Sequence, residues 1–302
     1  MSQGGYLPEG LQKKAVCADH GRLAIAMRNG DIIEGTAMSC TPGRDLIVDI
    51  GGSFEGMIPY SETALGLKSG RTRDIAVISR VGKTVCFKVM AKEGKRYILS
   101  RRLAQQEALE YYKNQLIPGD VIRCIVTHLE PFGAFVDIGC GIISMIGVEN
   151  ISVSRITHSA DRFRPGQEIY AAVTGMELDR ITLSHRELLG TWEENAARIS
   201  AGQTRIGIVR SIESYGAFIE LTPNLSGLAE NRPGIKIGEA VSVYVKSIIP
   251  EKMKVKLSII ENLGAADSGI IKDSDYFIKS GRLDLWEYSP RSCSSKYIAT
   301  RF

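Results

Sequence analysis

The sequence predicts a mainly β protein of three small closed barrels in tandem, joined by short helices. Three observations predict it. Four landmarks recur in the same order in two stretches, Val121 to Ser184 and Arg205 to Ser258. Within each stretch apolar and polar residues alternate over short runs bounded by Gly or Pro, the pattern of half-buried strands. Between the stretches the composition switches to helix formers.

Each stretch opens on a strand-like run (VIRCIVTHLE, RIGIVRSIES) and passes through an aromatic-Gly-Ala-Phe block (PFGAFVDI, YGAFIELT). A Pro-Gly or Ile-Gly turn then leads into a second β run (RPGQEIYAAV, KIGEAVSVYV), and a short strand ends on Leu-Ser (RITLS, KVKLS). A worn copy precedes them. Gly30 to Gly35 opens it, LIVDIGG stands where FVDIGCG stands later, VGKTVCFKVM supplies the second β run and RYILS closes it. The endings Leu99-Ser100, Leu183-Ser184 and Leu257-Ser258 set a period of roughly 80 residues, long enough for each unit to close its own five-stranded barrel instead of stacking as a solenoid. The resulting division is an N-terminal segment 1–20, a degenerate barrel 21–102, a linker helix 103–117, a barrel 118–187, a linker helix 188–202, a barrel 203–262 and a tail 263–302.

Gly133 and Gly216 each follow an aromatic residue inside a strand-like run. A residue without Cβ there permits a sharp bend that helps a small sheet curl shut, or makes a plain hairpin turn. The linker RRLAQQEALEYYKNQL has neither Gly nor Pro until Pro118, and LLGTWEENAARI is similar but weaker. Trp192, in the second linker, is read as packing on a neighbouring barrel. The tail carries Tyr276, Phe277, Trp286 and Tyr288, too apolar for disorder and too short for a domain; it docks on the third barrel or binds a partner.

The net charge of +4 leans basic and suits an anionic partner without the polycationic composition of an arm that binds by charge alone. The six cysteines (Cys17, Cys40, Cys86, Cys124, Cys140, Cys293) form no CxxC pair, which predicts reduced thiols and a cytoplasmic protein. The first residues lack a basic segment followed by an apolar stretch, and no run approaches the roughly 18 apolar residues of a membrane span, so neither export nor membrane insertion is expected. His20, His128, His158 and His185 include no pair at metal or catalytic spacing, and Cys17 with His20 lacks a second ligand pair. No phosphate loop, nucleophile elbow or cofactor box appears. The sequence therefore predicts neither enzyme chemistry, nor a metal, nor a cofactor.

The block Gly119-Asp-Val-Ile, then Pro131-Phe-Gly-Ala-Phe-Val-Asp-Ile-Gly, then Arg180-Ile-Thr-Leu-Ser resembles the S-one RNA-binding domain of ribosomal small-subunit protein S-one. Tyr215-Gly-Ala-Phe, Ser226-Gly-Leu-Ala-Glu and Lys254-Val-Lys-Leu-Ser carry the resemblance into the third repeat, and Phe54-Glu-Gly-Met-Ile-Pro-Tyr-Ser into the first. The resemblance implies an oligonucleotide-binding (OB) barrel in each repeat that engages single-stranded RNA. Its binding face would carry two aromatics of the Phe-Gly-x-Phe block and a basic residue before the final strand: Phe132, Phe135 and Arg180 in the second repeat, Tyr215, Phe218 and Lys254 in the third. The family's histidine on that face is replaced by Gly147, Glu230 and, in the first repeat, Pro59, where Arg44 and Ile47 also replace the rings.

On residue spacing alone, Phe135 and Phe218 either fill the barrel interior or join Phe132 and Tyr215 outside, since strict alternation puts i and i+3 on opposite faces. The resemblance implies the outside. Lys252, Lys254 and Lys256 alternate and are expected to share one sheet face suited to a polyanion. Charge is shared unequally: residues 21–102 hold 14 Lys and Arg against 8 Asp and Glu, a balance of +6; residues 118–187 hold 6 against 9, or −3; residues 203–260 hold 8 against 5, or +3. The expected partner is single-stranded RNA, messenger RNA first, held near the small ribosomal subunit. The alternatives are an RNA-binding regulator or decay accessory off the ribosome, a protein-interaction scaffold with weakened RNA binding, and a nuclease that uses these modules for grip.

Overall fold

A computed structural model describes residues 5–11, 20–177, 180–266 and 269–302. Cys17 lies outside them. Among the described residues no helix is long and apolar enough to cross a membrane. Two compact units divide the chain: one runs to Leu116 and takes in Asp137–Ile143, and the other holds Ile117–Val136 and Ser144–Phe302.

Three closed five-stranded barrels are present, as the repeats predict. The first follows helix α1 (His20–Asn29) and comprises β1 (Ile33–Cys40), β2 (Leu46–Asp49), β3 (Glu55–Ile58), then, after the single turn α2 (Ile75–Ile78), β4 (Thr84–Glu93) and β5 (Arg96–Ser100). Helix α3 (Arg101–Gln115) succeeds it. The second barrel comprises β6 (Val121–Glu130), β7 (Gly133–Asp137), β8 (Ile143–Gly147), β9 (Glu168–Glu177) and β10 (Arg180–Ser184). After α4 (Trp192–Ala196) the third comprises β11 (Thr204–Glu213), β12 (Gly216–Thr222), β13 (Leu225–Ala229), β14 (Glu239–Ile249) and β15 (Lys254–Ala265). Numbered within each barrel, the strand order is the same, 1-2-3-5-4 and closed, with the third and fifth strands parallel.

Alternation fills the barrels. In the third, Val209, Ile219, Val241, Val243, Val245 and Leu257 point inward; in the first, Val48, Ile58, Val85, Phe87, Tyr97 and Leu99 do so. Most residues between them are less buried, with Cys86 an exception, and one face of each strand carries the main hydrophobic gain.

Two elements differ from expectation, and a third resolves an open alternative. Helix α1 occupies residues read as the start of the first barrel: Leu23 and Ala26, one turn apart, are buried, and Gly30 at φ +72 ends the helix. The second linker is not one helix: a 3-10 turn, Arg186–Leu189, ends at Gly190 with φ +81, and α4 is only five residues, opened by a capping box between Thr191 and Glu194. Of the two readings of the tail, docking on the third barrel is the observed one: β16 (Leu285–Glu287) and β17 (Ala299–Arg301) pair antiparallel, and Trp286 and Tyr288 join the core of that barrel. Trp192 is buried in that same core, which fits its reading as a packing residue.

In the first unit, the Glu9 carboxylate accepts from Arg101 Nε at 2.6 Å and Nη2 at 2.9 Å and from the Cys86 backbone N–H at 3.1 Å. Arg101 and Glu9 are both buried, so the pair stands in little solvent.

Within the second unit, the segment after β8 lies against β12 and β13. Ser154 N–H donates to Pro223 O at 3.1 Å and Val153 N–H to Asn224 Oδ1 at 2.9 Å, while Asn224 Nδ2 donates to Arg186 O and Gly190 O. Beneath this seam Glu220 accepts from two arginines, Arg162, which is fully buried, and Arg210 at 2.7 Å. Arg162 Nε also donates to Ser152 Oγ at 3.1 Å. Asp161 Oδ1, 3.7 Å from Arg210, supplies the second negative charge, so two carboxylates face two desolvated guanidinium groups, and without Glu220 burying Arg162 costs several kcal/mol.

Candidate nucleic-acid interface

Phe132 and Tyr215 do not sit on bent strands. Each is the second residue of a two-residue hairpin turn, Pro131–Phe132 and Ser214–Tyr215, and Gly133 and Gly216 open the strands that follow. Of the two readings the plain hairpin turn is the observed one. A turn residue escapes strand alternation, so Phe132 (55% exposed) and Tyr215 (67% exposed) come onto the same outer face as the half-buried Phe135 and Phe218. The ring pairs are nearly superposable: Phe132–Phe135 lie 6.1 Å apart at 89° and Tyr215–Phe218 6.3 Å apart at 89°. Both are edge-to-face contacts of the favoured kind.

The glycines serve close backbone approach. A Cβ on Gly133 would lie 2.5 Å from Ile146 O, and one on Gly216 2.5 Å from Ala229 O. Gly216 also has φ +153. In these two barrels the third strand passes too near the start of the second for any side chain there.

Strand register carries a row across the third barrel: Ser211 on β11 opposes Phe218 on β12, which opposes Leu228 on β13, which opposes Lys256 on β15. Lys254 and Lys256 both point outward from β15, with Val255 and Leu257 buried between and after them. Lys252 is a correction: it lies in the 3-10 turn Pro250–Lys252, and Met253 in left-handed conformation (φ +46) breaks the alternation before β15 begins. It does not share the sheet face by periodicity, yet the turn brings it to the same groove as Lys254.

That groove, about 500 Å³, is floored by Phe218, Trp192 and Tyr288 and rimmed by Tyr215, Lys252 and Lys254. Lys256 is not in its lining. In the second barrel Arg180 is exposed at the first position of β10, two residues before Thr182, which opposes Met145 on β8.

The second barrel adds a residue that sequence reading missed. His128, exposed near the end of β6, has its ring 6.2 Å from Phe135 and tilted by 32°, with Nε2 2.8 Å from Glu130 Oε1. Its counterpart in the third repeat is Ser211, opposite Phe218. The signal was in the alignment of VTHLEPFGAF on VRSIESYGAF, which puts His128 across the hairpin from Phe135.

The first barrel keeps the row and loses its chemistry: Ser39, Ile47, Met57 and Ile98 stand in register where the third has Ser211, Phe218, Leu228 and Lys256. Arg44, at the position of the first ring, has φ +68, pairs with Asp74 and lies 5.7 Å from the Tyr60 ring. The charge of Arg44 is thus met by Asp74.

Comparison with known proteins fits this geometry. Residues 115–186 match the family described as "S1 RNA binding domain". The chain is 29% identical over 273 residues to the small ribosomal subunit protein bS1 homolog of Bacillus cereus, covering 83% of this chain and 69% of that protein. It is 30% identical over 265 residues to small ribosomal subunit protein bS1 of Staphylococcus aureus (81% and 65%) and 28% identical over 268 residues to that of Leuconostoc lactis (82% and 61%). The chain thus spans 61% to 69% of the length of these relatives. A multidomain protein with nucleic acid binding domains from Streptococcus pneumoniae overlays 76% of this chain and 73% of its own at 15% identity with a TM-score of 0.26; the fold rests on the strand pairing above. Residues 115–186 thus match an S1 RNA binding domain, two further barrels of the same topology flank it, and the chain is similar to bS1 proteins along most of its length.

Proposed function

We propose that this protein is a non-enzymatic binder of single-stranded RNA, acting in the cytoplasm in translation, with messenger RNA as its first ligand and the small ribosomal subunit as its place of work. One observation carries the reading: two barrels present the same pair of perpendicular rings on the same outer face, with exposed cations beside them. Bases stack on rings with little regard to sequence, at about 1 to 3 kcal/mol each, and cations hold the backbone. In this reading Phe132, Phe135, Tyr215 and Phe218 stack, and Arg180, Lys252, Lys254 and Lys256 meet phosphates. The likeness to bS1 proteins supports the assignment to translation.

The test is anisotropy of labelled single-stranded RNA with the wild type and a Phe132→Ala, Phe135→Ala, Tyr215→Ala, Phe218→Ala variant at two salt concentrations. Salt-dependent binding that weakens at least tenfold in the variant is the expected result. Equal affinity of the two proteins would remove the ring faces as the site. Co-sedimentation with small subunits then separates ribosome association from RNA regulation away from it.

A further inference from the structure

The groove on the third barrel is not made by that barrel alone. Besides Tyr215, Phe218, Lys252 and Lys254, its lining includes Val153, Ser154 and Arg155 from the segment after β8, and Lys296 and Ile298 from the tail. All of these belong to the second unit.

These two walls are anchored. Ser154 Oγ lies 2.9 Å from Ser226 Oγ, and its backbone N–H is tied to Pro223 O, so Arg155 projects from a fixed backbone. In the tail, Tyr288 donates its backbone N–H to Ile298 O at 2.9 Å and its hydroxyl to Asn224 O, and Ile298 N–H donates to Ser289 Oγ at 2.9 Å. Tyr297 donates to Glu287 Oε1 at 2.8 Å across the same hairpin. Lys296 therefore follows a backbone held within two residues of its own position.

Arg155, Lys252, Lys254 and Lys296 are all exposed, and none makes an ion pair among the described residues. Arg210 also lines the groove, but its charge is met by Glu220 and Asp161. Among the lining residues Glu213 is the one carboxylate. Four free cations against one acid, around an exposed tyrosine ring, suit a polyanion that also carries flat bases. An acidic peptide would satisfy the charges and leave the rings unused.

We propose that Arg155 of the second barrel and Lys296 of the tail hold backbone phosphates of the strand whose bases stack on Tyr215 and Phe218, so that the tail hairpin is a wall of the RNA site. The inference rests on the RNA-binding reading above. It makes the site composite: one barrel supplies the rings, its neighbour and the tail supply half of the free cations.

The experiment titrates labelled oligouridylate against the full chain over a salt series, with three paired variants: R155A/K296A, Y215A/F218A, and K236A/R291A, which removes two exposed cations outside the groove lining. R155A/K296A is expected to bind at least fivefold more weakly, and its slope of log K against log salt is expected to fall by about 1.4, or roughly 0.7 per lost phosphate contact on a single strand. K236A/R291A is expected to match the wild type. If R155A/K296A matches the wild type while Y215A/F218A weakens, the tail and Arg155 are not part of the site and the RNA reading stands. If K236A/R291A weakens as much as R155A/K296A, the effect is diffuse charge and the proposal fails. If wild type and Y215A/F218A bind alike, the RNA reading of these rings fails with it.

Discussion

His185 follows the Leu-Ser ending of the second repeat and is fully buried. Its Nδ1 lies 2.7 Å from Ile151 O and its Nε2 2.9 Å from the Tyr276 hydroxyl, which itself receives the Tyr170 backbone N–H at 3.3 Å. The consistent arrangement is a neutral ring donating from Nδ1 and accepting at Nε2. Burial, with the nearby Arg162 charge adding to it, pushes the pKa of His185 down from 6.5 to about 4. The folded state then binds fewer protons than the unfolded chain between those values. The stabilising effect is complete above pH 6.5 and is lost as the pH falls toward 4, by up to about 3 kcal/mol. Both tryptophans, Trp192 and Trp286, lie in the second unit, so their fluorescence follows its unfolding alone. Urea midpoints at pH 7.5 and 4.5 should differ clearly in the wild type and much less in His185→Asn. The role of this histidine was not legible in the sequence, since its partners stand 34 and 91 residues away. The rings were legible, because the Tyr-Gly-Ala-Phe repeat marks them directly. What spacing left open, the side on which Phe135 and Phe218 lie, was decided by a turn that alternation does not describe.

Among the elements, the barrels were legible down to strand number because each strand buries one face and must alternate. The tail was legible only as two alternatives, because β16 and β17 have three residues each and their stability comes from packing Trp286 and Tyr288 on the third barrel, which no local pattern in the tail announces. The seam in the second unit was equally hidden. Arg162 and Glu220 are 58 residues apart, and nothing in either local pattern distinguishes them from solvated surface charges. Removing the shared carboxylate leaves Arg162 buried without its counter-charge. Glu220→Ala is therefore expected to destabilise the second unit by about 3 to 5 kcal/mol, while Arg162→Met and Arg210→Met together with Glu220→Leu cost much less, because both guanidinium partners of the carboxylate leave with it. Denaturation midpoints followed by tryptophan fluorescence separate the two outcomes.

For the whole molecule, three barrels of one topology share the work unevenly. The first keeps the fold and carries Ile47, Met57 and Ile98 where a binding face would need a ring and a cation. The second and third keep their ring pairs, and these two belong to one compact unit. The seam between them has the character of a weld: Ser154, Asn224, Arg162 and Glu220 leave no slack for one ring pair to drift relative to the other. Modules on a loose tether would grip strands of graded length with gradually rising avidity. A welded pair behaves as a caliper. Short oligonucleotides should bind at either jaw with similar weak affinity, and tightness should jump once a strand is long enough to touch both, a step that titration with oligouridylates of increasing length would reveal.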